Sequence, residues 1–196
     1  SPFRKLEGLS DISKWHGDAG NSVVEISEGK VKFSVDIING HKTGFYLDQR
    51  RSRLALEQFS KDKKVLDIFC YTGGFSVSAA FYGASSVRGI DVKEEWLSLA
   101  KDNAALNGVS ERVQFTCGDA FDTLRDIYNS GEKFDMIILD PPSFLKSAKS
   151  LKGASRGYKD LNLYAMKMLS EGGILATFSC SHSMPNELFA VILKDA

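Results

Sequence analysis

The sequence predicts an α/β fold: a mostly parallel sheet with helices on both faces, preceded by a short β-hairpin. Two observations carry this. After Lys64 the chain repeats a unit of short apolar strand, Gly- or Asp-rich turn and amphipathic helix. Strands and helices alternating at that interval imply βαβ crossovers. Ahead of the repeat, VVEIS (Val23 to Ser27) and VKFSVDI (Val31 to Ile37) are β-rich runs joined at Glu28 and Gly29, the pattern of a hairpin.

Taken in order, the hairpin is followed by GHKTGFYLDQRRSR (Gly40 to Arg53), whose two glycines and unpatterned aromatics predict a loop. The loop leads into a helix from about Asp48 to Phe59, with Leu47, Leu54 and Leu56 facing inward. The repeat then supplies five strands, VLDIF, SVRGIDV, VQFTCGD, MIILD and GILATFS. Between them helices are expected over about Gly74 to Tyr82, Glu94 to Asn107, Ala120 to Asn129 and Lys159 to Leu169, and a further helix begins near Pro185. The division that follows is a hairpin segment over 1–40 and one α/β domain over 41–196.

Composition narrows the class. With 196 residues, 43% hydrophobic and 26% charged, the chain can bury a real core. No apolar run approaches the roughly 20 residues a bilayer span needs, and SPFRKLEGLSD lacks the apolar centre of a secretory signal. A soluble, cytoplasmic protein without membrane partners is expected. Cys70, Cys117 and Cys180 are odd in number and far apart, and His16, His41 and His182 are scattered, so no disulfide framework and no metal site is expected. Lys plus Arg equals Asp plus Glu at 25 each, which leaves nucleic-acid binding to a local patch. One candidate exists: between Pro141 and Lys159 the chain carries Lys146, Lys149, Lys152, Arg156 and Lys159 and no acid, either a solvated loop or a basic flap.

In parallel α/β sheets, ligands bind beyond the carboxyl ends of the strands. The first strand of the repeat ends in DIFCYTGGF (Asp67 to Phe75), where paired glycines allow close backbone approach and the next helix aims free N–H groups at a ligand. This is not the G-x-G-x-x-G fingerprint, which argues against a nicotinamide dehydrogenase, and Asp67 at the loop entrance suits a positively charged ligand. The second strand ends at Asp91, 24 positions after Asp67, where a nucleoside site places its ribose carboxylate. The third ends in Cys117-Gly118-Asp119-Ala120 and the fourth in Asp140-Pro141-Pro142-Ser143. Any one acid can cap a helix; four on successive strand ends are hard to explain by capping alone.

This constellation closely resembles the class I S-adenosylmethionine-dependent methyltransferases, a Rossmann-like fold. The resemblance implies S-adenosylmethionine as cofactor, with Gly73 and Gly74 at the glycine loop, Asp91 on the ribose, Asp119 on the adenine amino group, and Asp140 and Pro141 beside the methyl group. It also places Asp67, Phe69, Tyr71, Thr72, Val92 and Ala120 in the cofactor site. GHKTGFYLDQRRSR, DIFCYTGGFSVSAA and DPPSF narrow the likeness to large-subunit ribosomal RNA methyltransferases acting on cytosine C5, with relatives acting on guanine N7. In that family the first segment covers the cofactor, which nominates Tyr46, Asp48, Gln49 and Arg50; Arg51 stands where the family carries an acid. Members usually carry an RNA-binding module before the hairpin and more strands after the fifth. On that expectation the chain is a piece of a larger protein, and its fifth strand is an edge open to homodimer pairing.

Cytosine C5 is a poor nucleophile, so enzymes that methylate it first add a cysteine thiolate to C6. Ser179-Cys180-Ser181, at the end of the fifth strand, matches the T/S-C-S motif of the cytosine enzymes. The resemblance therefore implies Cys180 as nucleophile, with a lowered pKa and fast alkylation, and Asp140 as the group that hydrogen-bonds the cytosine ring. Some relatives carry a second cysteine after the strand-four proline; Ser143 lies in that stretch here, so Asp140, a water or another residue would remove the C5 proton. Cys70 and Cys117 read as small buried fillers. The basic stretch becomes a phosphate clamp for large-subunit ribosomal RNA. Two alternatives stand: methylation of another base such as guanine N7, and a module that binds cofactor or RNA without catalysis.

Overall fold

The computed structural model describes residues 7–8, 20–144, 151–181 and 184–196. Strands β1 (Val23–Glu28) and β2 (Val31–Asp36) pair antiparallel, Val23 opposite Asp36 and Glu28 opposite Val31. Gly29 takes φ +61 in the turn between them, a conformation that suits glycine. Helix α1 (Arg50–Ala55) follows, flanked by 3-10 turns at Leu47–Gln49 and Leu56–Gln58. The repeating unit then gives β3 (Lys64–Ile68), α2 (Gly74–Phe81), β4 (Ser86–Asp91), α3 (Glu94–Leu106), β5 (Val113–Cys117), α4 (Ala120–Ser130), β6 (Phe134–Leu139), α5 (Leu151–Met168) and β7 (Leu169–Thr177). Helix α6 (Asn186–Lys194) ends the chain, with Pro185 at its N-cap.

All pairings in the five-stranded sheet are parallel, in the order β5-β4-β3-β6-β7. The chain winds outward from β3 to β5, then returns to lay β6 on the other side of β3. Helices cover both faces, so the inner strands β3 and β6 are buried nearly throughout, whereas the edge strand β5 exposes Gln114 and Thr116. Their alternation sorts the core into two layers. Val65, Met136 and Ile138 face one layer with Val77 and Ala104, whereas Leu66, Ile68, Ile137 and Leu139 face the other with Leu124, Leu161 and Ala165.

The hairpin belongs to the first layer. Val31, Phe33 and Val35 are buried there, and Ser34 N–H donates to Asn103 Oδ1 at 2.7 Å, tying β2 to α3. Glu28 is buried too and receives Arg53 in a two-pronged ion pair, Nε to Oε2 at 2.8 Å and Nη2 to Oε1 at 2.7 Å.

Two elements differ from the sequence expectation. The helix after the loop is one short α segment between 3-10 turns, and this geometry leaves Leu47 61% exposed while Leu56 is buried and Leu54 only partly so. Helix α5 begins at Leu151, eight residues ahead of Lys159, so Lys152 and Arg156 stand on a helix and not in a loop. Its buried stripe of Ala154, Tyr158, Leu161, Ala165 and Met168 repeats every three to four residues, the period of an amphipathic helix.

Candidate active site

A cavity of about 660 Å³ opens at the carboxyl ends of β3 to β6, beside the point where the strand order reverses. That is the topological switch point of an open α/β sheet, and the volume lies in the range of small-molecule sites, roughly 300–1,000 Å³.

The turn after β3 forms its floor. Phe69 and Tyr71 take φ +68 and +51, values that are rare and strained for residues with a Cβ and that cluster at functional sites. Gly73 has φ +80, and a Cβ there would come within 3.1 Å of Ala100 Cβ and Phe115 Cζ; α2 can start only from a glycine. Asp91, at the end of β4, fastens this turn. Its Oδ2 accepts from Tyr71 N–H at 2.8 Å and its Oδ1 from Val92 N–H at 2.7 Å. Burial nevertheless outweighs those bonds and raises its pKa.

The roof is the segment 41–49. Tyr71 Oη accepts from His41 N–H at 2.9 Å and donates to Gly44 O at 3.3 Å. His41 Nδ1 lies 2.7 Å from Tyr46 Oη, and Arg53 Nη2 donates to Tyr46 O at 2.9 Å. Tyr46, Tyr71 and Trp96 meet edge to face, ring centroids 5.5 and 4.8 Å apart, a favoured arrangement of ring quadrupoles. Burial, with the nearby Tyr71, Cys180 and Asp140, pushes the Tyr46 phenol up to about 12.

Asp140, Pro141 and Cys180 form the far wall. Gln49 Nε2 donates to Asp140 Oδ1 at 3.1 Å. Burial, aided by Asp48, pushes the Asp140 carboxyl up to about 6, against the pull of Gln49, Arg53 and Lys42. Cys180 is exposed to the cavity, and its S–H donates to Pro141 O at 3.1 Å. Burial and then the Asp140 charge raise the thiol pKa, with Lys42 opposing. This corrects the expected lowered pKa: the acid that follows β6 sits close enough to disfavour the thiolate.

Of the residues nominated for a cofactor, Tyr46, Asp48, Gln49, Phe69, Tyr71, Thr72, Gly74, Asp91, Val92, Asp119, Ala120, Asp140 and Pro141 line the cavity. Asp119 does so while capping α4, its Oδ1 accepting from Phe121 N–H and Asp122 N–H. Three nominees do not line it. Arg50 is exposed on α1 outside the cavity. Gly73 is consumed by the α2 turn. Asp67 is fully buried within β3, where its Oδ2 accepts from Ser76 Oγ at 2.6 Å and burial pushes its carboxyl up to about 7; it lies behind the loop, not at its entrance. Cys70 is buried as expected, whereas Cys117 is exposed, its S–H donating to Val92 O at 3.4 Å. Lys152, Arg156 and Lys159 are exposed on α5, and Lys146 and Lys149 lie outside the described residues.

The sequence reading missed His41, Lys42, Trp96 and Phe121, which also line the cavity. His41 and Lys42 stood in a quoted motif without a role. The aromatics follow strand ends in helices and turns, where apolar residues pass for core.

These walls fit a nucleoside carrying a cationic tail. Asp91 keeps acceptor capacity beside a mostly apolar chamber, and Thr72, 2% exposed, presents a buried Oγ1 with no hydrogen-bond partner among the described residues. A buried hydroxyl without a partner costs free energy, so it marks a place for a ligand's polar group.

Fold and cavity together define a transferase domain built round a nucleoside cofactor. The chain belongs to the S-adenosylmethionine-dependent methyltransferase family, whose model matches residues 9–190, and S-adenosylmethionine is the cofactor of that family. Among its relatives, ribosomal RNA large subunit methyltransferase I of Tolumonas auensis is 50% identical over 196 residues, 98% of this chain and 49% of the relative. The protein of the same name from Shewanella denitrificans is 46% identical over 195 residues, with the same coverage. The chain thus spans about half the length of the curated relatives it matches. Among solved structures, SMU.776, described as a methyltransferase complexed with SAH, superposes with a TM-score of 0.83 at 28% identity, over 92% of this chain and 48% of that one. A methyltransferase from Agrobacterium tumefaciens, 22% identical with a TM-score of 0.78 over 93% of this chain and 60% of its own, shares the fold.

Proposed function

We propose that the chain methylates C5 of a cytosine in large-subunit ribosomal RNA, with Cys180 as covalent nucleophile. The observation that carries this reading is the meeting of an exposed cysteine and a half-buried aspartate on one wall of the cavity that Asp91 anchors. S-adenosylmethionine supplies, when bound, a methyl group on a cationic sulfur. Asp91 would hold the ribose hydroxyls, Thr72 and the α2 N-terminus the tail, and the aromatic roof would exclude water. Cys180 adds to C6 of the base and loads electron density onto C5. The thiol proton leaves to solvent as the sulfur adds; after methylation water or the Asp140 carboxylate takes the C5 proton, elimination expels the thiolate, and the ring returns the proton that it received. Asp140, whose carboxyl titrates near 6, retains a proton on part of the population near neutral pH and donates it to the base as density builds.

The names of the relatives support a ribosomal RNA substrate. So does the exposed row Lys152, Arg156 and Lys159, spaced to follow one helix face and suited to phosphates. One observation favours a second reading, methylation of an acceptor such as guanine N7 that needs no thiolate: the raised pKa of Cys180. Cys180→Ala decides between them. Assayed with radiolabelled cofactor and deproteinised ribosomal RNA, the variant should lose transfer by more than a hundredfold while still binding the cofactor by calorimetry. Full retention of transfer overturns the covalent route. Cofactor binding without transfer by the unaltered chain overturns the enzymatic reading itself.

A further inference from the structure

Cys180 lies between two serines, and one buried phenol holds both. Tyr158, on α5, is 0% exposed. Its Oη accepts from Ser179 Oγ at 3.2 Å and lies 3.1 Å from Ser181 Oγ. Ser181 is buried as well, and its Oγ is 2.8 Å from Ser143 Oγ in the Asp-Pro-Pro-Ser stretch. One proton order satisfies the chain, each hydroxyl donating to the next from Ser179 through Tyr158 and Ser181 to Ser143.

The ring is itself fixed. Phe144 and Phe189 meet it edge to face at 5.0 and 5.5 Å, within a small cluster that includes Met184 and Ile192. Asn162 Nδ2 donates to Tyr158 O at 2.8 Å. A phenylalanine would fill the same volume, so packing alone does not call for the hydroxyl. Among the described residues, both hydrogen bonds of that hydroxyl go to the neighbours of Cys180. A connected buried network is rigid, because any displacement leaves polar groups unpaired.

We infer that Tyr158 is a positioning residue for Cys180: its hydroxyl fixes the backbone on either side of the thiol and, through Ser181, ties the strand end to the wall carrying Asp140. The inference rests on the reading of Cys180 as nucleophile. Misplacing a reacting atom by about 1 Å can cost a hundredfold in rate, so losing the hydroxyl should slow the covalent step and leave cofactor binding untouched.

The test uses the full chain, S-adenosylmethionine and a large-subunit ribosomal RNA transcript containing 5-fluorocytidine. The thiolate adds to C6 and C5 gains the methyl group, but fluorine occupies the position of the proton that must leave, so the sulfur–C6 bond persists and the adduct accumulates. Tyr158→Phe should trap adduct roughly tenfold or more slowly, with an unchanged dissociation constant for the cofactor by calorimetry. Ser181→Ala, which removes the link from the other side, should behave alike, and the double variant should be no slower than the slower single one. Trapping by Tyr158→Phe at the unaltered rate overturns the inference alone, as does slowing matched by an equal loss of cofactor binding or folded protein. If the unaltered chain traps no adduct, the nucleophile reading fails and the positioning role with it.

Discussion

Asp67 is a carboxyl group that the fold keeps partly neutral. It is fully buried, one oxygen accepts from Ser76 and the other has no partner among the described residues. Its folded pKa of about 7 lies above the unfolded value near 3.9. The folded chain therefore keeps a proton that the unfolded chain releases, and the associated stability is complete below about pH 4 and is lost as pH rises through 7. Asp67→Asn reproduces the protonated form at every pH. Thermal melts should show the two proteins alike near pH 4 and the variant more stable at pH 8, by about 4 kcal/mol at most; equal melting temperatures at pH 8 would refute the assignment. The same logic applies to Cys180. Asp140 disfavours its thiolate and Lys42 favours it. At pH 8, Asp140→Asn should speed alkylation of Cys180 by iodoacetamide, and Lys42→Ala should slow it, each by roughly three- to tenfold. Peptide mass spectrometry with Cys117 as the exposed internal reference reads this directly.

At the scale of elements, the hairpin is held to the domain by an ion pair whose loss is asymmetric. Glu28 and Arg53 are both buried, and Arg53 also holds the roof through Tyr46 O. Glu28→Ala leaves a buried guanidinium without its counter-charge, which costs about 3–5 kcal/mol, whereas replacing both partners by methionine is far milder. Thermal denaturation should therefore rank the single variant well below the double one, and calorimetry should show cofactor binding weakened in the single variant because the roof loosens. How far such elements could be read from the sequence follows from their packing. Strands β3 and β6 were legible because burial on both faces makes them near-continuous apolar runs, and the acids at the strand ends because the crossovers fix their spacing. The start of α5 was not, because Gly153, Ser155 and Gly157 disfavour helix and the lysines suggest solvent, even though the stripe from Ala154 to Met168 was present. Asp67 was misplaced for a related reason. An acid near a strand end faces ligand or core according to a one-residue change in pleat, and composition does not decide which.

For the molecule as a whole, a net charge of zero coexists with chemistry proposed to act on a polyanion. A neutral surface gives little long-range attraction, so on the proposed reading any RNA affinity of this chain comes from local groups of cations. Helix α5 joins these roles. Its inner face carries Tyr158 against the Cys180 strand end, and exposed positions carry Lys152, Arg156 and Lys159. If those three cations contact phosphates, each releases counterions, and the slope of log K against log salt for single-stranded RNA contains about −0.7 per contact. Replacing all three by alanine should thus flatten the slope by about 2 and weaken binding to unrelated RNA sequences about equally, since phosphate contacts carry no base information. Cofactor binding should not change. Filter binding of a large-subunit ribosomal RNA transcript between roughly 50 and 200 mM salt measures the slope. An unaltered slope would move the RNA path off α5, and with it the argument that substrate contact and the placement of Cys180 share one helix.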